Sequence, residues 1–200
     1  MKQYLFFSFA LIFSCPVFAQ NNTPDSLLPY REIPAYPDAF TPGAVAARMV
    51  DGLGFRYYWA TEGLRTADLD FRPTPEARSS GETLDHILGL STMILNALKN
   101  QPNVRSEGET HPLSFEEKRR KTLENLQTAS DLLKAPDCQL EVYPIVFQNG
   151  DQRSELPFWN LLNGPIADAL WHVGQVVTFR RSSGNPFNAK ANVMLGKLRQ

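Results

Sequence analysis

At 200 residues the chain fits one ordinary domain with a sizeable core, and its apolar share of 42% is normal for a globular protein. Its formal charge of -1, with no Lys/Arg run interleaved with aromatics, argues against a nucleic-acid partner.

Residues 1–19 read as a leader and not as part of that domain. Lys2 supplies a short positive region, Tyr4 to Ser14 an apolar one, and Val17-Phe18-Ala19 ends in a small residue of the kind signal peptidases cut after. A buried N-terminal helix is the other reading, but Pro16 and the polar Gln20-Asn21-Asn22 end the run abruptly. The expectation is cleavage near Ala19 and export, periplasmic or secreted, without stable membrane insertion, because the run is too short to span a bilayer. A lipid anchor at Cys15 is not expected, since bulky Phe13 suits a lipobox poorly. After cleavage Cys138 is the sole cysteine, which leaves no intramolecular disulfide.

Residues 20–40 carry Pro24, Pro29, Pro34 and Pro37 with little periodicity, and read as a linker or a strap on the domain surface. The domain proper is expected over residues 41–200. Thr41-Pro42 places an N-cap before a proline at the first helical position. A first helix follows to about Leu64, with Val45, Met49, Gly52, Phe55, Trp59 and Gly63 on its apolar face. Close packing of a neighbouring helix would explain those glycines, which are poor helix formers.

A proline-punctuated connection, Leu69 to Pro75, leads to a capped start at Ser79-Ser80-Gly81-Glu82. The second helix runs to about Lys99, with His86, Leu90, Met93, Ile94 and Ala97 on its apolar face. Ser114 and Glu117 form a capping box that opens a third helix, ending near Ala135-Pro136. Its charged first turns read as a solvated face. Leu140 to Phe147, then Asn149-Gly150, suggest a short extended excursion or hairpin, and Pro144 argues against a central strand. The last helix covers Gly164 to Arg181 after a short turn at 158–162, and the tail to Gln200 reads as coil or a docking segment. Four amphipathic helices with this excursion predict an all-α fold, a four-helix bundle.

Leu161, Pro165, Asp168, His172, Gln175, Val176 and Phe179 trace one side of the last helix, mostly apolar and expected to face a core. An unpaired carboxylate in a core costs several kcal/mol, so Asp168 and His172 need partners. Their i,i+4 spacing suits two ligands of one metal ion, and His86 on another helix could complete the set. The alternative is a buried Asp168–His172 hydrogen-bonded pair, with His86 a separate core histidine. His111 falls in a loop and reads as surface, Cys138 is a loop residue with no evident base, and Tyr57, Tyr58 and Trp59 read as core or pocket lining.

Glu62 to Pro75, then Ser79 to His86, resemble the first half of the DinB-like superfamily, where a helix ends, a Leu-x-Phe-x-Pro type linker follows, and a second helix opens with Ser and then His. Ala169-Leu-Trp-His-Val-Gly-Gln175, followed by Arg180 and Gly184, is similar to the closing motif of that family. The resemblance covers roughly residues 41–186. It implies a four-helix bundle in which three histidines hold a divalent metal. By position the three ligands become His86, Asp168 and His172, with Asp168 standing where the family has histidine. A two-His-one-Asp set suits zinc, nickel or iron. Gln175 would fix the His172 imidazole or, equally, make an inter-helix hydrogen bond without a metal, and Arg180 would close the C-terminus of its own helix.

What the resemblance implies is a metal-dependent hydrolase or thiol transferase acting on an unknown small molecule, with pairing into a homodimer as a further family-level expectation. Glu62 and Asp85 lie near the relevant helix ends, but neither stands out as a general base. The alternative function is a non-catalytic binding or structural protein whose His/Asp cluster is a polar core or a structural metal site. A membrane-surface module would need a basic amphipathic helix, which the sequence lacks.

Overall fold

The computed structural model of the chain describes residues 28–104 and 113–200. The expected leader with Cys15 and Ala19, the start of the proline-rich segment, and His111 lie outside the described residues. The chain forms α1 (Pro42–Thr61), α2 (Thr66–Asp70), α3 (Ser80–Leu98), β1 (Asn103–Val104), α4 (Phe115–Leu133), β2 (Ile145–Asn149), β3 (Gln152–Leu156), α5 (Trp159–Leu161), a π turn (Leu162–Ile166), α6 (Ala167–Ser182), β4 (Ala191–Asn192) and β5 (Lys197–Leu198).

The fold is therefore mixed and not all-α. Four long helices, α1, α3, α4 and α6, pack together, but a three-stranded sheet of order β1-β2-β3 and a two-stranded sheet β4-β5 accompany them. The expected hairpin is β2 paired antiparallel to β3, from Ile145↔Leu156 to Asn149↔Gln152, around a loop that Gly150 opens at φ 56°. Its first strand is central, because β1 joins the other edge of β2 in parallel. Pro144 does not prevent this, since it precedes the first ladder residue. Asn103 anchors β1 by accepting from Asn96 and donating to the carbonyl of Val146. The tail, read as coil, closes on itself through β4 and β5.

Capping fixes where the helices begin. The Thr41 side chain accepts from the Ala44 N–H, and Ser79/Glu82 and Ser114/Glu117 form reciprocal boxes. Each such cap contributes about 1 kcal/mol. α1 is buried nearly all round, with Val50, Leu53, Phe55 and Tyr57 fully inside, and each such side chain contributes roughly 1.5–3 kcal/mol. The apolar face expected for it is corrected accordingly: Val45 and Met49 stand at the surface. The close helix packing expected at Gly52 and Gly63 is not there: Gly52 has only the Arg56 guanidinium beside it and Gly63 has open space, while the close approach falls at Gly54, against the segment before α1. A Cβ on Gly54 would meet the Tyr30 ring at 2.4 Å. Gly63 instead ends the helix at φ 67°.

Residues 28–40 lie against α1 and the tail. The Tyr30 hydroxyl donates to Asp51, Trp59 Nε1 donates to the Arg31 carbonyl, and the Ile33 N–H donates to Gly196 O. Asp51 also pairs with Lys134 of α4 at 2.9 Å. Burial, reinforced by the Asp51 charge, pushes the Tyr30 phenol far above its ordinary pKa.

Candidate metal centre

Pro165 shapes the entry to the site. It has no N–H to donate and its ring crowds the preceding turn, so the chain widens into the π turn Leu162–Ile166 with Gly164 at φ -92°, ψ -105°. α6 starts directly after it, which puts Asp168 in the first turn, where the helix dipole favours a carboxylate. Ala169, Val173, Val176 and Arg180 are the buried side of α6. Asp168, His172 and Gln175 therefore flank the core and do not point into its centre. Their side chains meet α3, whose capped start sets the position of His86.

His86 Nε2 lies 3.2 Å from Asp168 Oδ2, and His172 Nε2 lies 3.3 Å from Asp168 Oδ1. The two imidazole rings stand edge to face with centroids 4.7 Å apart. Side-chain exposures of 34% for His86, 41% for Asp168 and 14% for His172 leave the group open to solvent on one side. Both parts of the buried-pair alternative are thereby corrected: His86 is not separate, and the pair is not buried.

His86, Asp168 and His172 form a group able to hold a metal ion, with one donor atom from each within 4.8 Å of the others. Two ligands about 2.1 Å from a tetrahedral ion stand roughly 3.4 Å apart, close to both nitrogen–carboxylate separations here. A second observation concerns protons. His172 Nδ1 is 2.8 Å from Gln175 Oε1, and the tautomer that suits this contact is the one protonated at Nδ1. In the neutral ring Nε2 is then a bare lone pair facing a carboxylate oxygen. Only a cation between them, or a second proton on the ring, makes that contact favourable.

The other residues singled out in the sequence lie elsewhere. Arg180 closes the C-terminus of α1 and not, as expected, that of its own helix. Its Nη1 donates to the carbonyls of Trp59, Ala60 and Glu62, and its Nε donates to Asn185 O. Asp85 pairs with Lys118. Burial raises the Cys138 thiol pKa, with Asp137 and Glu141 adding to it, which disfavours a nucleophilic thiolate.

A polar cluster that sequence reasoning missed ties α2 to the end of α6. Asp68, fully buried, accepts from Arg65, from Ser183 Oγ at 2.6 Å and from Asn185 Nδ2 at 2.7 Å. The Arg65 guanidinium above all, with help from Ser183 and Asn185, holds its carboxyl far below the usual carboxylate range despite burial. Only the Arg65/Asp68 spacing was visible in the sequence, since the other partners lie more than 100 positions away.

The chain matches no family model, no curated protein and no solved structure. What fold and site define is a class: a mixed helical protein carrying a His2Asp group between two helices.

Proposed function

We propose that His86, Asp168 and His172 hold one divalent ion, zinc, nickel or iron, and that the exported protein uses it as a metal-dependent hydrolase or thiol transferase acting on a small molecule. The observation that carries this reading is the Gln175–His172 contact, which directs the Nε2 lone pair of His172 at Asp168. The resemblance of the Ser79–His86 and Ala169–Gln175 segments to the DinB-like superfamily points the same way.

A divalent ion at such a site supplies Lewis acidity, which brings a water or thiol ligand toward deprotonation at neutral pH. The chain's own residues supply the setting. Gln175 fixes the tautomer and orientation of His172. Asp168 offers one oxygen to each histidine and lowers the net charge of the site by one relative to a three-histidine set. The partial exposure of His86 and Asp168 leaves room for a substrate atom beside the ligands. With no residue placed as a general base, the proton of the nucleophile is expected to leave to solvent or to Asp168.

Cobalt(II) titration followed by visible absorption tests the site. The expected result is a saturating ligand-field spectrum for the wild type, lost in His172→Ala. Gln175→Ala should keep the spectrum but weaken affinity by roughly 10–100-fold. A wild type that leaves cobalt with its aqueous spectrum would sink the proposal.

A further inference from the structure

On the side of α6 turned away from the His/Asp group, a groove of about 740 Å³ runs between α1 and α6 and is closed at one end by the tail. That volume is typical of a site for a small molecule. Its accessible apolar lining comes from Met49, Val177 and Val193, with the buried Phe55, Trp59 and Val173 just behind it. No spacing in the sequence points to it, because its two walls lie more than 100 residues apart in the chain.

Two glycines deepen it. Gly174 has nothing within 4 Å of the position a Cβ would take, and Gly52 has only the Arg56 guanidinium, at 3.3 Å. These are places where the helices stand apart, not places where they need a glycine to approach.

The charge around the groove is one-sided. Arg48, Arg56 and Arg181 line it, and no Asp or Glu does. Arg56 donates to the Gly52 carbonyl, and Arg48 to the Pro34 carbonyl while lying over the Tyr36 ring. Among the described residues no carboxylate pairs with any of the three. Arg56 and Arg181 share the end near the α1 C-terminus, because neighbouring Arg180 reaches the carbonyls of Trp59 and Ala60. From there the apolar lining continues past Met49 into a second recess of about 460 Å³ beside Phe40 and Val45.

We propose that this groove binds a single-chain anionic amphiphile, with a carboxylate or sulfate head on Arg56 and Arg181 and an alkyl chain along Met49, Val177 and Val193, beside Trp59. An apolar ligand alone would leave the cationic rim without an anionic partner, and a small anion alone would leave exposed Met49 and Val193 in water.

Dodecanoate, kept below its micelle concentration, is the probe, and calorimetry with tryptophan fluorescence is the readout. Dodecanoate should bind saturably and perturb Trp59. Butyrate, which lacks the tail, and dodecyltrimethylammonium, which inverts the head charge, should each bind at least tenfold more weakly. Gly174→Leu fills the groove from a helical position with open space, and Arg56→Gln/Arg181→Gln removes the rim charge. Each should weaken dodecanoate at least tenfold with an unchanged melting curve, whereas His172→Ala should leave it unaltered. Equal binding of the cationic and anionic chains, or wild-type affinity in Gly174→Leu, would overturn the assignment. So would co-sedimentation with phosphatidylglycerol vesicles by a protein that ignores monomeric dodecanoate, since the surface would then dock on a bilayer.

Discussion

Asp168 and Asp68 show how neighbours assign different tasks to the same side chain. Asp168 is 41% exposed and faces two imidazole nitrogens, an arrangement open to a ligand. Asp68 is fully buried and saturated by Arg65, Ser183 and Asn185, an arrangement that leaves nothing to bind. Its task is to hold α2 against the end of α6. A carboxyl whose pKa is depressed in the folded state stabilises above its unfolded pKa and loses that contribution as pH falls toward the folded value. Asp68→Asn should therefore cost about 2 kcal/mol at pH 7, from the lost charged hydrogen bonds. The gap from wild type should narrow as pH drops below about 4, where the unfolded carboxyl takes up a proton. Urea melts at pH 7 and pH 3 check this; a gap that stays constant with pH would assign the loss to shape and not to charge.

At the scale of elements, the C-terminus of α1 is the joint of the structure. Arg180 from α6 reaches three of its carbonyl groups, and Arg119 from α4 donates to Thr61 Oγ1 and lies over the Tyr58 ring. Arg180 is buried, and burial lowers its pKa, against which the Asp68 and Glu62 charges act. Arg180→Lys is expected to destabilise by about 2–3 kcal/mol, because an ammonium cannot present the planar fork that spans these acceptors and Asn185. Denaturant midpoints of the two proteins provide the test, and a lysine variant within about 0.5 kcal/mol of wild type would show that the fork geometry is not needed.

How much of this was legible follows from the length of each signal. Helices of 19–20 residues with reciprocal caps at Ser79/Glu82 and Ser114/Glu117 repeat their pattern often enough to be read. Strands of two residues, such as Asn103–Val104 and Ala191–Asn192, carry no period at all. They exist because a partner segment offers hydrogen bonds, and that is why the expectation of an all-α fold failed. Arg180 read as a cap of its own helix; that it caps α1 instead was not legible, since Trp59 and Ala60 are brought to it only by packing.

For the molecule as a whole, α6 is the shared wall. One side meets α3 and carries Asp168, His172 and Gln175, while the other faces α1 across the groove. The i,i+4 spacing of Asp168 and His172 was plain in the sequence. That His86 joins them was read from its place on another helix and favoured by the resemblance, and the side of α6 they occupy depends on the π turn at Pro165, which widens the helix where a regular period would not. The groove was not legible, because its depth comes from what Gly52 and Gly174 lack.

The central claim is that the triad holds a metal ion. Elemental analysis of the protein purified without chelator or histidine tag, wild type beside His172→Ala, tests it most directly. The account predicts about one divalent ion per chain in the wild type and almost none in the variant, with both proteins folded. An equal metal content in the two, or none in either after exposure to zinc, nickel and iron, would contradict it and leave the three residues as a polar cluster without an ion.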